Sequence, residues 1–332
     1  MKKKILFIKK GATKFEENDV VILSKYYDVT VFEPSYNNLF TGLKLIINCD
    51  LLYYWFPNDY KFIFTLLAKI LNKKVFIIAG GQMSLADTRK SRAFAKVKYR
   101  PLHIICGILC LKLANKVVAV SKYEREGLSR YLSSSKITVI YNSINQNYSY
   151  NKEIKRDSNL IITISAIINT HYYRKGLDVF VNLSKKMPDY TFVLIGKDCR
   201  DGTFEMIKNN SNKNLILTDS VSDNELKNWI SRAKIYCQFS RQEGFGVALA
   251  EAIGAGCLPI ISKFGAIPEV VGSYGFYVDD ILDIQNIKKI TKVALKSNYN
   301  IDEASKRIHK LFNDVNRESI IIHEVSNLLK EN

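Results

Sequence analysis

Glu243 and Glu251 are the side chains of this 332-residue chain best suited to chemistry on a hydroxyl-rich ligand. They stand in Arg241-Gln242-Glu243-Gly244-Phe245-Gly246-Val247-Ala248-Leu249-Ala250-Glu251-Ala252. A strand-like run, 235–240, leads in, two glycines let the backbone turn, and an Ala- and Leu-rich helix follows. The first amides of such a helix have no intrahelical partner and carry the positive end of its dipole, so the turn is a seat for a phosphate. At a rise of about 1.5 Å per residue, the step from Gly246 to Glu251 spans roughly 7–8 Å, and one bound molecule can meet both carboxylates. Ionised carboxylates accept hydrogen bonds from hydroxyls, which suits sugars and ribose. The pair also reads as a capping Glu and a helical Glu in a buried ion pair. Its apolar neighbours favour a functional role, because a Glu in that setting is costly unless paired or used.

A second charged element, Asn169-Thr170-His171-Tyr172-Tyr173-Arg174-Lys175-Gly176-Leu177-Asp178, follows a predicted strand and opens a helix. Two adjacent cations there suit a diphosphate, Arg174 as a fork and Lys175 as a point charge; a solvated loop accounts for them equally well. His171 offers a base or a metal ligand. The four histidines, His103, His171, His309 and His323, show no metal-site spacing, so a hydrogen-bonded or exposed His171 is the simpler reading. Gly11 is a lone glycine in a first strand-to-helix loop, without G-x-G-x-x-G. Asp219-Ser220-Val221-Ser222-Asp223 ends at a helix start, with Ser222 or Asp223 as cap. No Asp-x-Asp pair sits at a strand end, so no metal is expected.

Glu243-Gly244-Phe245-Gly246, Glu251-Ala252, the run 256–261 and Ile267-Pro268-Glu269-Val270-Val271-Gly272 together resemble the E-x7-E signature of retaining glycosyltransferases of the GT-B fold, the group often called family 4. The resemblance extends, more weakly, over nearly the whole chain. It implies an α/β fold of two doubly wound, Rossmann-like domains facing each other across a cleft. The implied activity moves a sugar from a nucleotide-diphosphate donor, such as a UDP- or GDP-sugar, to an acceptor hydroxyl with retention of configuration. Glycan, glycolipid or cell-surface polysaccharide synthesis would be its setting.

By the same resemblance Glu243 approaches the donor sugar and Glu251 holds the ribose, while Arg174-Lys175-Gly176 is similar to the element whose Lys binds the leaving diphosphate. Gly244, Phe245, Gly246 and Val247 would line the donor, Gly11 would lie near its phosphates, and the loop with Val221 would meet the base. The family's Gly-Arg pair after the strand apex is Ser165-Ala166 here, which leaves Arg174 to supply the missing charge. Its His after the fourth strand is absent from Ala79-Gly80-Gly81-Gln82-Met83. On the acceptor side Gly80 and Gly81 permit close backbone approach, and Asp87 is the nearest carboxylate. A sugar-nucleotide epimerase on the same fold is the alternative. A nucleic-acid-binding protein, suggested by charge alone, lacks a reading motif, and no nucleic acid is expected.

A chain 47% hydrophobic and 24% charged, of this length, is globular with room for two domains. The six cysteines are scattered, none in a CxxC pair, and read as reduced thiols. Met1-Lys2-Lys3-Lys4 resembles the start of a signal peptide, but Lys9-Lys10 interrupts the apolar run at once, so it reads as a first strand. Residues 102–114 fall short of the roughly twenty a bilayer requires. A cytoplasmic protein, peripheral at the inner face of the membrane, is the expected location. The net charge of +17 is uneven: residues 1–150 hold 24 Lys and Arg against 10 Asp and Glu, a balance of +14, and residues 151–332 hold 25 against 22, a balance of +3. The positive charge is densest at 89–100, ahead of the apolar 102–114 run. That segment, 89–114, suits an anionic membrane, with a glycan or lipid-linked acceptor there; a solubilising surface explains it as well.

Strand and helix signals alternate along the chain. Strands fall at 3–8, 28–32, 51–55, 75–79, 116–120 and 137–140, then at 160–165, 191–195, 215–218, 235–239 and 258–262. Strands apolar throughout, alternating with helices, call for parallel sheets covered on both faces. The polar stretch 141–158 has no period and reads as the connection. The expected domains are 1–150 (Rossmann-like, acceptor), 157–314 (Rossmann-like, nucleotide-sugar donor) and 315–332, a last helix that in the family crosses back to the first.

Overall fold

A computed structural model describes residues 2–9, 11, 13–35, 38–80 and 101–330, which divide into two compact units. Gly81, Asp87 and the basic residues 89–100 lie outside the described residues.

The first unit contains residues up to 80, 101–143 and the final helix from 314. Its elements are β1 (Lys4–Ile8), α1 (Lys14–Ser24), β2 (Asp28–Phe32), α2 (Leu39–Ile47), β3 (Leu51–Trp55), α3 (Asp59–Ile70), β4 (Lys74–Ile78), α4 (Pro101–Leu113), β5 (Lys116–Ala119), α5 (Lys122–Leu128) and β6 (Ile137–Val139). The strands pair in parallel in the order β2-β1-β3-β4-β5-β6. Both faces of this sheet are covered, which is why a strand such as Leu51-Leu52-Tyr53-Tyr54-Trp55 is apolar at successive positions and buried throughout. Phe7, Tyr53 and Phe76 stack across three adjacent strands, with ring centroids 5.0 Å apart at each step. Asn58 and Ser121 start α3 and α5 by accepting from the amides of Lys61 and Glu124.

The second unit spans residues 144–313. It contains β7 (Asp157–Ile164), α6 (Asn169–Arg174), α7 (Leu177–Lys186), β8 (Thr191–Ile195), α8 (Thr203–Asn209), β9 (Leu215–Leu217), α9 (Asp223–Arg232), β10 (Ala233–Gln238), α10 (Val247–Gly254), β11 (Leu258–Ser262), α11 (Ile267–Val271), β12 (Phe276–Val278), α12 (Ile284–Lys296) and α13 (Ile301–Leu311), ahead of the final helix α14 (Asp314–Lys330). Its strands are also parallel, in the order β12-β11-β10-β7-β8-β9. The chain builds outward from β7, returns to lay β10 beside it, and continues the other way. In such sheets ligands sit beyond the carboxyl ends of the strands at the point of reversal.

The division between units falls between Ser143 and Ile144, inside the stretch that reads as a connection and before the expected boundary at 150. Ile144 and Tyr148 are buried, and Ile144 N–H donates to the Phe312 carbonyl at 2.9 Å, which draws 144–150 into the second unit. β7 begins at Asp157 rather than Leu160, because its exposed first residues still pair with β10. β12 and α11, of three and five residues, carry too little periodicity to be read from sequence. The helical tail from 284 breaks into three, with Asn300 capping α13 through the Glu303 amide. Among the described residues no helix is long and apolar enough to cross a membrane. All six cysteines are free thiols.

Candidate functional site

The site is assembled where β7 and β10, neighbours at the reversal, end together. Beyond β7, α6 leads to Lys175 and then to Gly176, which adopts φ +70° and caps α7. A Cβ at Gly176 would collide with the Phe239 carbonyl, so glycine there lets the loop close against the end of β10. Arg241, 6% exposed, locks the two loops: its guanidinium donates to both oxygens of Asp178 at 2.7 and 2.8 Å and to the Tyr173 carbonyl at 2.6 Å. Its own amide donates to the Arg174 carbonyl at 2.9 Å. A bidentate, charge-assisted pair fixes orientation as well as distance.

The clamp brings Lys175 and Glu243, 68 residues apart in sequence, to an Nζ to Oε2 distance of 2.6 Å. Glu243 is 6% exposed. The same Oε2 accepts from Gln238 Nε2 at 2.9 Å and from the Ser240 hydroxyl at 3.3 Å. The Tyr236 hydroxyl donates to Gln238 Oε1 at 3.2 Å, which turns the amide nitrogen toward the glutamate. All three bonds load Oε2 and none of the described residues bonds Oε1. Burial pushes the Glu243 carboxyl up, but the Lys175 ammonium, with Arg174 and Ser240, holds it below the ordinary glutamate range. Burial also draws the Lys175 ammonium below its ordinary value, against the attraction of Glu243. A buried ion pair is weak evidence of stability. An ionised carboxylate with one oxygen loaded and the other open can receive hydroxyls.

Immediately after Glu243 the chain passes Gly246, at φ +94°, into α10. Gly246 supplies no side-chain cap, and the first amide within the helix to reach a backbone partner is that of Ala250, to Gly246 O at 3.0 Å. The amides at 247–249 form an open positive end to the helix. Arg174, half-buried, forms no ion pair among the described residues, whereas Lys175 and Arg241 each face a carboxylate. The surplus charge is therefore positive, as an anionic ligand requires. The loop after β11 supports the turn from behind: Ala266 N–H donates to the Glu243 carbonyl at 3.0 Å, and Gly265 packs on the Glu243 backbone where a Cβ would collide.

Arg174, Lys175, Glu243, Gly244, Gly246 and Val247 gather around this turn. Phe245 is buried, its ring edge-on against Phe312 with centroids 5.0 Å apart. Glu251, part-buried on α10, accepts from the Asn145 amide at 3.1 Å. Burial, with Glu251 and Asp223 nearby, raises the Tyr148 hydroxyl to about 12. Val221 lies in the loop between β9 and α9, next to a capping box in which Ser222 and Glu225 satisfy each other's amides. His171 is half-buried and its Nδ1 lies 3.3 Å from the Ser165 hydroxyl; burial, then Arg174 and Lys175, push it down to about 3, so it is neutral near pH 7. Gly11 and Gly80 belong to the first unit. The Gly11 amide donates to Glu33 at 2.6 Å, and Gly80, at φ +64°, sits against the Phe56 ring. Arg241, Asp178, Gln238 and Ser240 were given no role by sequence reasoning. A buried-looking Arg two residues before the motif's Glu was the available signal. Among the described residues no three His, Cys, Asp or Glu side chains cluster as a metal site.

Two parallel six-stranded Rossmann-like sheets, the second with the Lys175–Glu243 pair at its reversal, define a GT-B α/β fold. Solved structures share it. A glycosyltransferase from Rickettsia africae superposes with a TM-score of 0.72 at 17% identity, covering 100% of both chains. A sucrose-phosphate synthase from Thermosynechococcus elongatus superposes with a TM-score of 0.78 at 13% identity, covering 99% of this chain and 100% of that one. Residues 145–324, over half of the chain, match the family described as Glycosyl transferases group 1, and the chain belongs to that family. A curated relative, the phosphatidylinositol N-acetylglucosaminyltransferase gpi3 subunit of Schizosaccharomyces pombe, is 27% identical over 168 residues, 48% of this chain and 36% of that protein. The chain thus matches about a third of that relative's length.

Proposed function

We propose that this chain transfers a hexosyl group from a nucleoside-diphosphate sugar to an acceptor hydroxyl with retention of anomeric configuration, as the family-4 resemblance implies. The observation that carries this is the ionised Glu243, loaded on one oxygen by Lys175 and open on the other, beside the open amino end of α10. In the reaction the bond between the anomeric carbon and the phosphate oxygen breaks, one to the acceptor oxygen forms, and the acceptor hydroxyl's proton passes to the departing diphosphate. Negative charge grows on the departing diphosphate, where Lys175, Arg174 and the amides at 247–249 stabilise it without reorganising. Glu243 holds sugar hydroxyls through Oε1, Glu251 receives ribose hydroxyls, and the loop with Val221 meets the base.

No metal takes part in this reading, so turnover survives chelation by EDTA. The fission-yeast relative's name gives a phosphatidylinositol acceptor. For this chain the proposed acceptor is a glycan or lipid-linked hydroxyl, in glycolipid or cell-surface polysaccharide synthesis at the inner face of the cell membrane. Release of UDP, GDP or ADP from a panel of sugar nucleotides, with Glu243→Ala alongside, tests the proposal. One donor should be consumed by the wild type and not by the variant, and the product should keep the donor's anomeric configuration. Failure to bind any donor overturns the reading. Conversion of a donor without acceptor would support the epimerase.

A further inference from the structure

The first unit presents an unusual outer surface. α3 packs against both α2 and α4, and the three helices bury residues in one core cluster. Every exposed position of α3 is aliphatic: Ile63, Leu66 and Ile70, which are 48%, 42% and 69% exposed. α4 exposes Leu102, Ile105 and Leu109 at the same helical spacing, and α2 exposes Phe40 and Ile47. A helix facing water carries polar residues on its outer stripe, as α9 does with Asp223, Asn224, Glu225, Lys227 and Asn228. An extended aliphatic surface over adjacent helices marks a contact still to be made.

Charge decides what makes it. The three helices contain a single acid, Asp59, against Lys44, Lys69 and Lys112, with Lys61 buried beneath. They belong to the half of the chain whose balance is +14, from 24 Lys and Arg against 10 Asp and Glu. A second copy would bring the same charge to the same face and be repelled. An anionic lipid surface offers an apolar boundary for the aliphatic side chains and phosphates for the lysines. We propose that the α2-α3-α4 face seats the protein on an anionic bilayer, lying in the interface without crossing it. The lipid contact thus centres on the outer faces of three helices, among which α4 is the described part of segment 89–114. The contact does not depend on sugar transfer, because binding is read without turnover.

Flotation of the full chain with phosphatidylcholine vesicles, with and without phosphatidylglycerol, tests this. The wild type should float with the phosphatidylglycerol vesicles and much less with neutral ones. The triple variant Ile63→Ser, Leu66→Ser, Ile70→Ser should lose about tenfold or more of that binding, since the apolar area entering the interface is removed. Its thermal midpoint should not fall, because all three side chains are exposed; the pair Phe40→Ser, Ile47→Ser on α2 provides a second, independent loss. The proposal is overturned if the wild type does not float with anionic vesicles or if wild type and variants float equally. It is overturned too if the wild type is a dimer that the triple variant breaks.

Discussion

In the first unit Arg317 of α14 meets Asp19 of α1 side-on with Nε and one terminal nitrogen, each at 2.9 Å, and in the second Arg241 meets Asp178 end-on with both terminal nitrogens, at 2.7 and 2.8 Å. The described groups that bond Asp19 are donors: the Tyr53 hydroxyl at 2.7 Å and Trp55 Nε1 at 2.8 Å share the load, and Arg317 also donates to the Tyr141 carbonyl at 2.9 Å. Asp19 and Arg317 are 0% and 3% exposed. That network is closed and offers nothing to a ligand. The Arg241 pair is equally tight, but one loop away stand a glutamate oxygen, an Arg and a helix start that find, among the described residues, no bond, no counter-ion and no side-chain cap. A buried pair holds a fold when its neighbours are satisfied and prepares a site when it fixes neighbours that are not.

Breaking the closed network should produce the largest effect. Asp19→Ala leaves the Arg317 charge buried without its partner, and unfolding free energy by urea titration should fall by about 3–5 kcal/mol. A loss below about 1 kcal/mol would show that the cluster does not anchor α14. The open site should respond in rate instead. Glu243→Gln keeps the shape, loses the charge, and should lower turnover by about 100- to 1,000-fold with little change in thermal midpoint. If stability drops and rate per folded molecule does not, Glu243 belongs with Asp19 and the contrast fails.

Arg241→Lys sharpens the comparison further. It keeps a cation but loses the fork, so kcat should fall about tenfold while the donor KM changes less, because Arg241 positions Lys175 and Glu243 without needing to touch the donor. A change confined to KM would make it a binding residue. The smallest effect concerns His171. Its folded value is about 3 against an ordinary 6.5, so between those values the folded chain binds fewer protons than the unfolded one. The stability tied to neutral His171 is complete above about pH 6.5 and is lost as pH falls toward 3. Allowing for its partial exposure, the loss by pH 5 should be about 1 kcal/mol or less, and His171→Asn should flatten that acid limb of unfolding free energy against pH.

Much of this was legible along the chain because it is local. Runs such as Leu51–Trp55 announce buried parallel strands, and Glu243 and Lys175 each stand at a recognisable turn between a strand and a helix. Their meeting was implied only by the family resemblance and not by the residues around either, because it depends on β10 being laid beside β7, a consequence of strand order and not of spacing. Arg241 and Asp178 are 63 residues apart, and Asp19 and Arg317 are 298 apart, so neither member of either pair shows its partner in its neighbourhood. The packing of the Phe245 ring was hidden for a related reason: its backbone lies in the motif, but its ring meets Phe312, which comes much later.

The closed network also orders events during synthesis. Among the described residues the second unit is one segment, 144–313, whereas the first unit needs Arg317 to neutralise Asp19. As the chain leaves the ribosome, the segment made second can reach its mature state before the segment made first. Until α14 emerges, Asp19 stays a lone charge beneath Tyr53 and Trp55, and the nascent amino-terminal half is the part most in need of a chaperone.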